Sequence, residues 1–140
     1  MTASISRVLL DRILEAARTS PNREICGLLL GRGDRIAAIL PAANVAADPA
    51  RRFEIDPAVL IAAHRRARDG EEAVLGHYHS HPGGAVIPSS CDAVMAHADG
   101  ALWLICDGAG RHGLWRARGG GLHDMFDPVD LDVDDMARGR

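Results

Sequence analysis

Histidines alternate along one short segment of the chain, and a carboxylate follows them at a fixed distance. His79 and His81 are separated by one residue, and Asp92 lies eleven residues after His81. The preceding residues 73–76 are mostly apolar and predict a β-strand, along which alternate side chains share a face with Cα atoms roughly 6–7 Å apart. Two imidazoles and a carboxylate are ligands that zinc prefers, so the segment predicts a metal centre with three protein ligands and an open fourth position.

Two other features of this segment bear on the assignment. Ser89 and Asp92 have the spacing of a capping box, which predicts a helix over residues 93–96. We expect both roles to hold, with Ser89 starting the helix and Asp92 reaching the metal from its first turn. His77 lies on the same strand face as His79 and His81, so periodicity alone does not choose which two of the three histidines bind.

With Glu24 and the stretch Gly27–Gly31, these residues resemble the signature of the JAMM, or MPN-plus, metalloprotease family. That signature is a Glu, then H-x-H, seven residues, Ser, two residues and Asp, and the spacing is met here without a gap. The resemblance extends over about residues 5–117 and is to small stand-alone bacterial members. It implies one Zn²⁺ per chain, held by His79, His81 and Asp92, whereas His77 falls where the family commonly has an aromatic residue.

The resemblance also implies a reaction. Glu24 would be the general base, and Ser89 would donate a hydrogen bond to the oxyanion. The expected activity is hydrolysis of the peptide or isopeptide bond after the C-terminal Gly-Gly of a ubiquitin-like or sulfur-carrier protein, with that tail added as a strand at a sheet edge. The leaving group would be an amino acid, a peptide or a lysine-linked protein. The alternative is a metal-free protein-interaction scaffold of the MPN type.

Other classes of protein fit the sequence less well. Zinc nucleobase deaminases need H-x-E with P-C-x-x-C, and thermolysin-type proteases need H-E-x-x-H; both motifs are missing. The arginines near residue 65 indicate a solvated helix face and not a nucleic-acid site. No apolar run approaches a membrane span, and residues 1–4 lack the form of a signal peptide. Three cysteines in apolar contexts favour reduced thiols, which indicates a cytoplasmic protein.

Composition and periodicity predict the fold class. At 140 residues, 47% hydrophobic and 25% charged, the chain can form one domain with a substantial core. Helical and strand patterns interleave, which predicts a mixed β-sheet flanked by helices; the resemblance implies the cytidine-deaminase-like three-layer arrangement. Helices are predicted over residues 4–19 and 58–69, and strands over residues 25–30, 35–40, 52–55, 73–76, 101–106 and 111–117.

The C-terminal segment differs from the rest in composition. Gly119, Gly120 and Gly121 are expected to end the domain, which gives a metalloprotease domain of residues 1–118 and a glycine-hinged acidic tail of residues 119–140. Disorder is the first expectation for such a tail because it contains six aspartates. The alternating apolar residues of 129–133 predict instead an edge strand.

Overall fold

The structure is a computed structural model, and it describes residues 1–135. Met136, Arg138 and Arg140 of the expected tail lie outside the described residues. Within them the elements follow in the order β1 Thr2–Ser6, α1 Arg7–Arg18, β2 Cys26–Arg32, β3 Arg35–Ala42, α2 Pro57–Arg68, β4 Ala73–Ser80, α3 Ser90–Met95, β5 Leu102–Cys106, β6 His112–Leu122 and β7 Phe126–Asp134. No helix of this part of the chain combines the length and apolar character that crossing a membrane requires.

The strands form one mixed sheet that closes on itself. Their order is β1-β3-β2-β4-β5-β6-β7, and β7 pairs with β1 to complete the barrel. The β1–β3, β1–β7 and β4–β5 pairs are parallel and the others are antiparallel. The predicted mixed sheet with flanking helices is therefore confirmed. The three-layer arrangement is not confirmed, because a sheet whose end strands pair has the topology of a barrel.

The N-terminal helix is shorter than predicted. Residues 2–6 form β1, with Ala3 and Ile5 buried, and α1 starts only at Arg7. The prediction of a helix from Ser4 is thus wrong for its first three residues. Ser6 ends the strand and caps the helix, since its hydroxyl accepts a hydrogen bond from the N–H of Leu9 at 3.2 Å. The buried face of α1 then packs with strand residues in the main core, as the amphipathic pattern predicted.

The central strands place the N-terminal part of the site beside the histidines. The β2–β3 hairpin forms as predicted around Gly33, whose φ of 58° suits glycine. Strand β2 is also antiparallel to β4, with Cys26 opposite His79. Ser80 fixes this end of the pair, because its N–H donates to the carbonyl of Ile25 at 3.0 Å and its hydroxyl accepts from the N–H of Ile25 at 2.9 Å. Glu24, just before Ile25, is therefore held next to the end of β4.

The second helix forms almost as predicted, whereas the strand before it does not. Asp56 caps α2 by accepting from the N–H of Ala58 at 3.0 Å, and Pro57 occupies the first turn. The exposed arginines of α2 face solvent as expected. The predicted strand over residues 52–55 is reduced to a single bridge between Asn44 and Ile55. That segment is instead an irregular loop that carries Phe53.

The expectation of a disordered tail is wrong for residues 119–134. Strand β6 continues through the three glycines to Leu122, and β7 lies between β6 and β1. The alternative, a strand over residues 129–133, is confirmed, although that strand is longer and lies inside the closed sheet. Phe126 and Val129 are buried, and the Arg35 guanidinium donates to both carboxylate oxygens of Asp134. From Val129 onward, apolar residues alternate with aspartates along β7.

We predict that β7 contributes strongly to stability. Phe126 is 0% exposed and meets Trp103 edge to face, with ring centroids 4.9 Å apart. Phe126→Ala should lower the free energy of unfolding by about 3–5 kcal/mol, because it leaves a cavity between the sheet and Trp103. Val8→Ala, at a position 45% exposed on α1, is the control and should change the free energy of unfolding by less than about 0.5 kcal/mol. Denaturant titration measures both; equal midpoints for the two variants would contradict the observed docking of β7.

Candidate metal centre

The predicted ligands come from two elements that meet at one end of the sheet. His79 is in β4 and His81 follows that strand directly, while Asp92 is in the first turn of α3. The Nε2 atoms of the two histidines are 3.1 Å apart. Asp92 Oδ2 lies 3.3 Å from His79 Nε2 and 3.1 Å from His81 Nε2. The structure thus brings the three side chains into a small triangle of donor atoms.

This triangle fits a zinc ion. Ligand atoms at 2.0–2.1 Å from a tetrahedral zinc lie about 3.3–3.4 Å from one another. One observed separation, 3.3 Å, matches that ideal, and the other two, both 3.1 Å, are slightly shorter. Two imidazole nitrogens and one carboxylate oxygen are also a donor set found in catalytic zinc sites. On geometry and chemistry the residues match the metal that the resemblance implied.

Hydrogen bonds orient two of these side chains. His81 Nδ1 lies 2.8 Å from the carbonyl oxygen of Ala85, and donation to it leaves the lone pair on Nε2. Asp92 Oδ2 accepts the N–H of Ser89 at 2.9 Å, and the Ser89 hydroxyl accepts the N–H of Asp92 at 3.0 Å. The predicted capping box is therefore confirmed, and the same carboxylate that closes it faces both histidines.

An aromatic cluster holds His79 and separates it from His77. The ring of Phe53 stacks on His79 with centroids 4.1 Å apart and an interplanar angle of 18°. His77 instead meets Trp103 edge-on at 4.3 Å, and its centroid lies 6.3 Å from that of His79. Burial lowers the pKa of His77 to about 3, so the imidazole is neutral. His77 therefore packs as an aromatic side chain beside the triangle and does not form one of its corners.

Glu24 is a buried carboxylate beside the same site. It is 5% exposed, and one of its oxygens, Oε1, has no hydrogen-bond partner among the described residues. One carboxylate oxygen of Glu24 and one ring nitrogen each of His79 and His81 all lie within 4.8 Å of one another. Its side chain therefore lies beside the two histidines, and its Oε1 has no hydrogen-bond partner in the part of the chain that the structure describes. An unpaired carboxylate in such a position can accept and release a proton.

The two carboxylates of the site have opposite pKa shifts. The pKa of Glu24 is raised to about 7, chiefly by burial; His81 opposes this shift, and the negative charge of Asp92 adds to it. Burial also tends to raise the pKa of Asp92. The contacts to His79 and His81 and the hydrogen bond from the N–H of Ser89 outweigh this effect and hold the pKa well below its usual range. Burial lowers the pKa of His79 as well. A charged Asp92 and a neutral His79 are the protonation states that metal ligands need.

Sequence reasoning missed Asn44, which organises the loop around Glu24. Its side-chain N–H groups donate to the carbonyl oxygens of Glu24 at 2.9 Å and Arg52 at 3.0 Å. Its Oδ1 accepts from the backbone N–H groups of Ala46 at 3.0 Å and Glu54 at 3.1 Å. Asn44 thereby ties the backbone of Glu24 to the loop that presents Phe53. An Asn in a loop indicates a local turn, but nothing in the sequence indicated these distant partners.

The cysteines take no part in the triangle. All three are free; Cys26 and Cys106 are buried, and Cys91 is half-buried. Burial raises the pKa of Cys26 to about 11 and that of Cys106 to about 12, so both are neutral thiols of the core. That these thiols are reduced in the cell stays a prediction. Cys91 is not among the residues whose ligand atoms converge.

Comparison with known proteins identifies the family of the chain. Residues 6–118 match the model of a family described as prokaryotic homologs of the JAB domain. The chain belongs to this family. It is accordingly an enzyme, a hydrolase of the JAMM type, and the resemblance that Glu24, His79, His81, Ser89 and Asp92 carried is confirmed at the level of the family. The match ends at the expected domain boundary, whereas the sheet continues to Asp134.

Individual relatives agree with this membership of the JAB family. The chain is 34% identical to a desampylase of Haloferax volcanii over 105 residues, which cover 74% of the chain and 76% of the relative. It is 30% identical to a desampylase of Pyrococcus furiosus over 114 residues, which cover 81% of the chain and 80% of the relative. A solution structure of a Desulfitobacterium hafniense protein superposes with a TM-score of 0.79 at 25% identity, covering 96% of this chain and 94% of the other.

We predict that the protein binds about one zinc ion per chain. His79→Ala and Asp92→Ala should each lose most of the metal, because each removes one corner of the triangle. His97→Ala, at an exposed histidine outside the site, is the matched control and should retain it. Metal analysis after dialysis against metal-free buffer gives the stoichiometry. A folded wild-type protein that binds no zinc would instead support the metal-free scaffold.

Proposed function

We propose that this JAB-family hydrolase is a zinc-dependent isopeptidase or peptidase that cleaves after the C-terminal Gly-Gly of a ubiquitin-like or sulfur-carrier protein. The observation that carries the proposal is the pairing of Glu24 with the triangle of ligands. A buried carboxylate with an unpaired oxygen and a pKa near 7 lies within 4.8 Å of two metal-type ligand atoms. A binding scaffold has no need for such a group, because its burial without a partner is unfavourable.

His79, His81 and Asp92 would hold the zinc ion. Zinc bound in this way acts as a Lewis acid and lowers the pKa of a coordinated water to about 7. Phe53 stacks on the His79 ring, and the carbonyl oxygen of Ala85 is the hydrogen-bond partner of His81 Nδ1. Asp92 is fixed through the helix cap. This support by neighbouring groups keeps the donor atoms in position and sets the tautomer of His81.

Glu24 and Ser89 would carry out the proton transfer and the charge stabilisation. Glu24 would accept the proton of the attacking water and pass it to the nitrogen of the leaving group, so that both products leave neutral at the cleaved bond. Its raised pKa suits both directions of transfer near neutral pH. The Ser89 hydroxyl accepts the N–H of Asp92, and its own proton remains free to bond to the substrate oxyanion.

The relatives support the class of substrate. Both are named desampylases, which favours a substrate that carries a ubiquitin-like modifier. An extended tail could reach the site as an added strand only where the sheet has an unpaired side. Strand β3 pairs with β1 only at Arg35 and Ile36, so its residues 37–42 have a side without a strand partner among the described residues and are one such stretch. Ala42 lies opposite Cys26, and Cys26 lies opposite His79, so this stretch ends two strands from the ligands.

Glu24→Gln should separate catalysis from metal binding. The amide cannot act as a base, so turnover should fall by about 10²–10⁴-fold while the zinc content and the thermal midpoint stay near wild-type values. Ser89→Ala should be intermediate; it loses an oxyanion donor and roughly 1 kcal/mol of helix capping. Initial rates and metal analysis on the same samples test this. A Glu24→Gln protein that loses its zinc would show that Glu24 is a ligand.

Specificity for glycine gives a test of the substrate. A ubiquitin-like or sulfur-carrier protein extended by a few residues after Gly-Gly should be cut directly after the second glycine, as followed by intact mass. Replacing that glycine with alanine should reduce kcat/KM at least tenfold, about 1.4 kcal/mol of transition-state binding, if the site admits only an unsubstituted backbone. An unstructured peptide with the same tail is the control. Equal cleavage of all three would indicate a general peptidase.

A further inference from the structure

The residues that link the two halves of the metal centre form an irregular loop, here called the metal-site loop, residues 82–89. It begins after His81 and ends at Ser89, and it contains no helix or strand. Three of its carbonyl oxygens nevertheless have side-chain partners. Ala85 accepts from His81, Val86 accepts from the indole N–H of Trp115 at 3.2 Å, and Pro88 lies 3.0 Å from His123 Nε2. Two of these three partners belong to the β6–β7 hairpin.

Strand β6 approaches the loop closely. A Cβ built on Gly113 would lie 2.5 Å from the carbonyl oxygen of Val86, nearer than real Cβ contacts allow. Glycine at this position therefore lets the loop lie directly on β6. Trp115, two residues along the same strand, then reaches Val86 from the same side. The close approach and the indole hydrogen bond position the middle of the metal-site loop.

The glycines of the C-terminal segment direct the hairpin tip toward the other end of this loop. Ala117 and Leu122 both pair with Phe126, so the residues between them form a bulge. Gly120 and Gly121 have φ angles of 91° and 69°, and a Cβ on Gly121 would lie 2.3 Å from the carbonyl oxygen of Phe126. The turn that follows places His123 and Asp124 at φ of 54° and 58°. This backbone brings the His123 ring to Pro88, directly before Ser89.

We propose that Trp115 and His123 are positioning residues for the metal centre, and that the hairpin containing the triple glycine braces the metal-site loop. They touch no ligand. They act through the loop, since Val86 and Pro88 lie between His81 and Ser89. The N–H of Ser89 in turn donates a hydrogen bond to the carboxylate of Asp92. The sequence 119–135 thus has a structural role in the site, although it lies beyond the part that matches the family. This proposal rests on the proposed zinc site, and its test does not rely on turnover alone.

The test compares variants that remove one hydrogen bond each. Trp115→Phe keeps an aromatic ring without the N–H, and His123→Asn keeps a residue that tolerates positive φ but is too short to reach Pro88. His123→Gln restores a donor of similar reach, and His97→Ala is the control. Zinc affinity by chelator competition and amide hydrogen exchange of residues 82–92 in the metal-free protein are measured for all of them. Gly113→Ala provides an independent variant, because its Cβ must displace Val86.

Trp115→Phe and His123→Asn should each weaken zinc affinity several-fold, and together about tenfold. Amide hydrogen exchange over residues 82–92 should be faster in both variants. Their kcat should fall, while KM should change by less than twofold. His123→Gln should recover most of the lost zinc affinity. Gly113→Ala should show the same pattern. Unchanged affinity and exchange in the double variant would overturn the proposal, and so would equal losses in His123→Gln and His123→Asn. A wild-type protein inactive on every Gly-Gly substrate would refute the proposed function, while the exchange data would still decide the brace.

Discussion

The site depends on one buried oxygen atom, Oδ2 of Asp92. It lies within 3.3 Å of the Nε2 atoms of His79 and His81, and it accepts the N–H of Ser89. A charged carboxylate is stable in a buried position only when such partners replace water, so the burial of a charged Asp92 depends on the meeting of β4, the metal-site loop and α3. Glu24 has the opposite environment, with an oxygen that lacks a partner. Two carboxylates in one site therefore have pKa values driven apart, which suits the roles proposed for them, metal binding for Asp92 and proton transfer for Glu24.

Local chemistry allowed much of the fold to be predicted. The hairpin at Gly33, the start of α2 at Asp56 and Pro57, and the capping box at Ser89 each depend on neighbours in sequence, and each formed as predicted. The elements that were missed depend on distant partners. Strand β1 overlaps a helical pattern and is defined by pairing with β7. The aspartates of β7 indicated disorder because composition does not reveal that Phe126 and Val129 would find a buried place between two other strands.

The candidate site also contains residues that the sequence pattern could indicate and residues whose roles depend on distant partners. The residues that form the triangle could be selected from spacing and from the resemblance to JAMM proteins, because their side chains act directly. The residues that support them could not. Asn44 binds backbone groups of Glu24 and of the loop, and Phe53 stacks on His79, so their roles exist only once the loop before α2 has folded over the strand ends. A functional residue that acts through backbone atoms leaves no pattern of residue types in the sequence.

The pairing of β1 with β7 has a consequence for how the chain reaches its final form. These strands are separated by almost the whole described chain, yet they share five registered residue pairs, whereas β1 and β3 share two. Contacts between residues so far apart in sequence form late and slow the folding of a domain. As the chain leaves the ribosome, β1 and α1 are exposed long before β7 exists. The barrel therefore closes only after synthesis has passed β7, and His123, in the turn before β7, reaches the metal-site loop only near the end of synthesis.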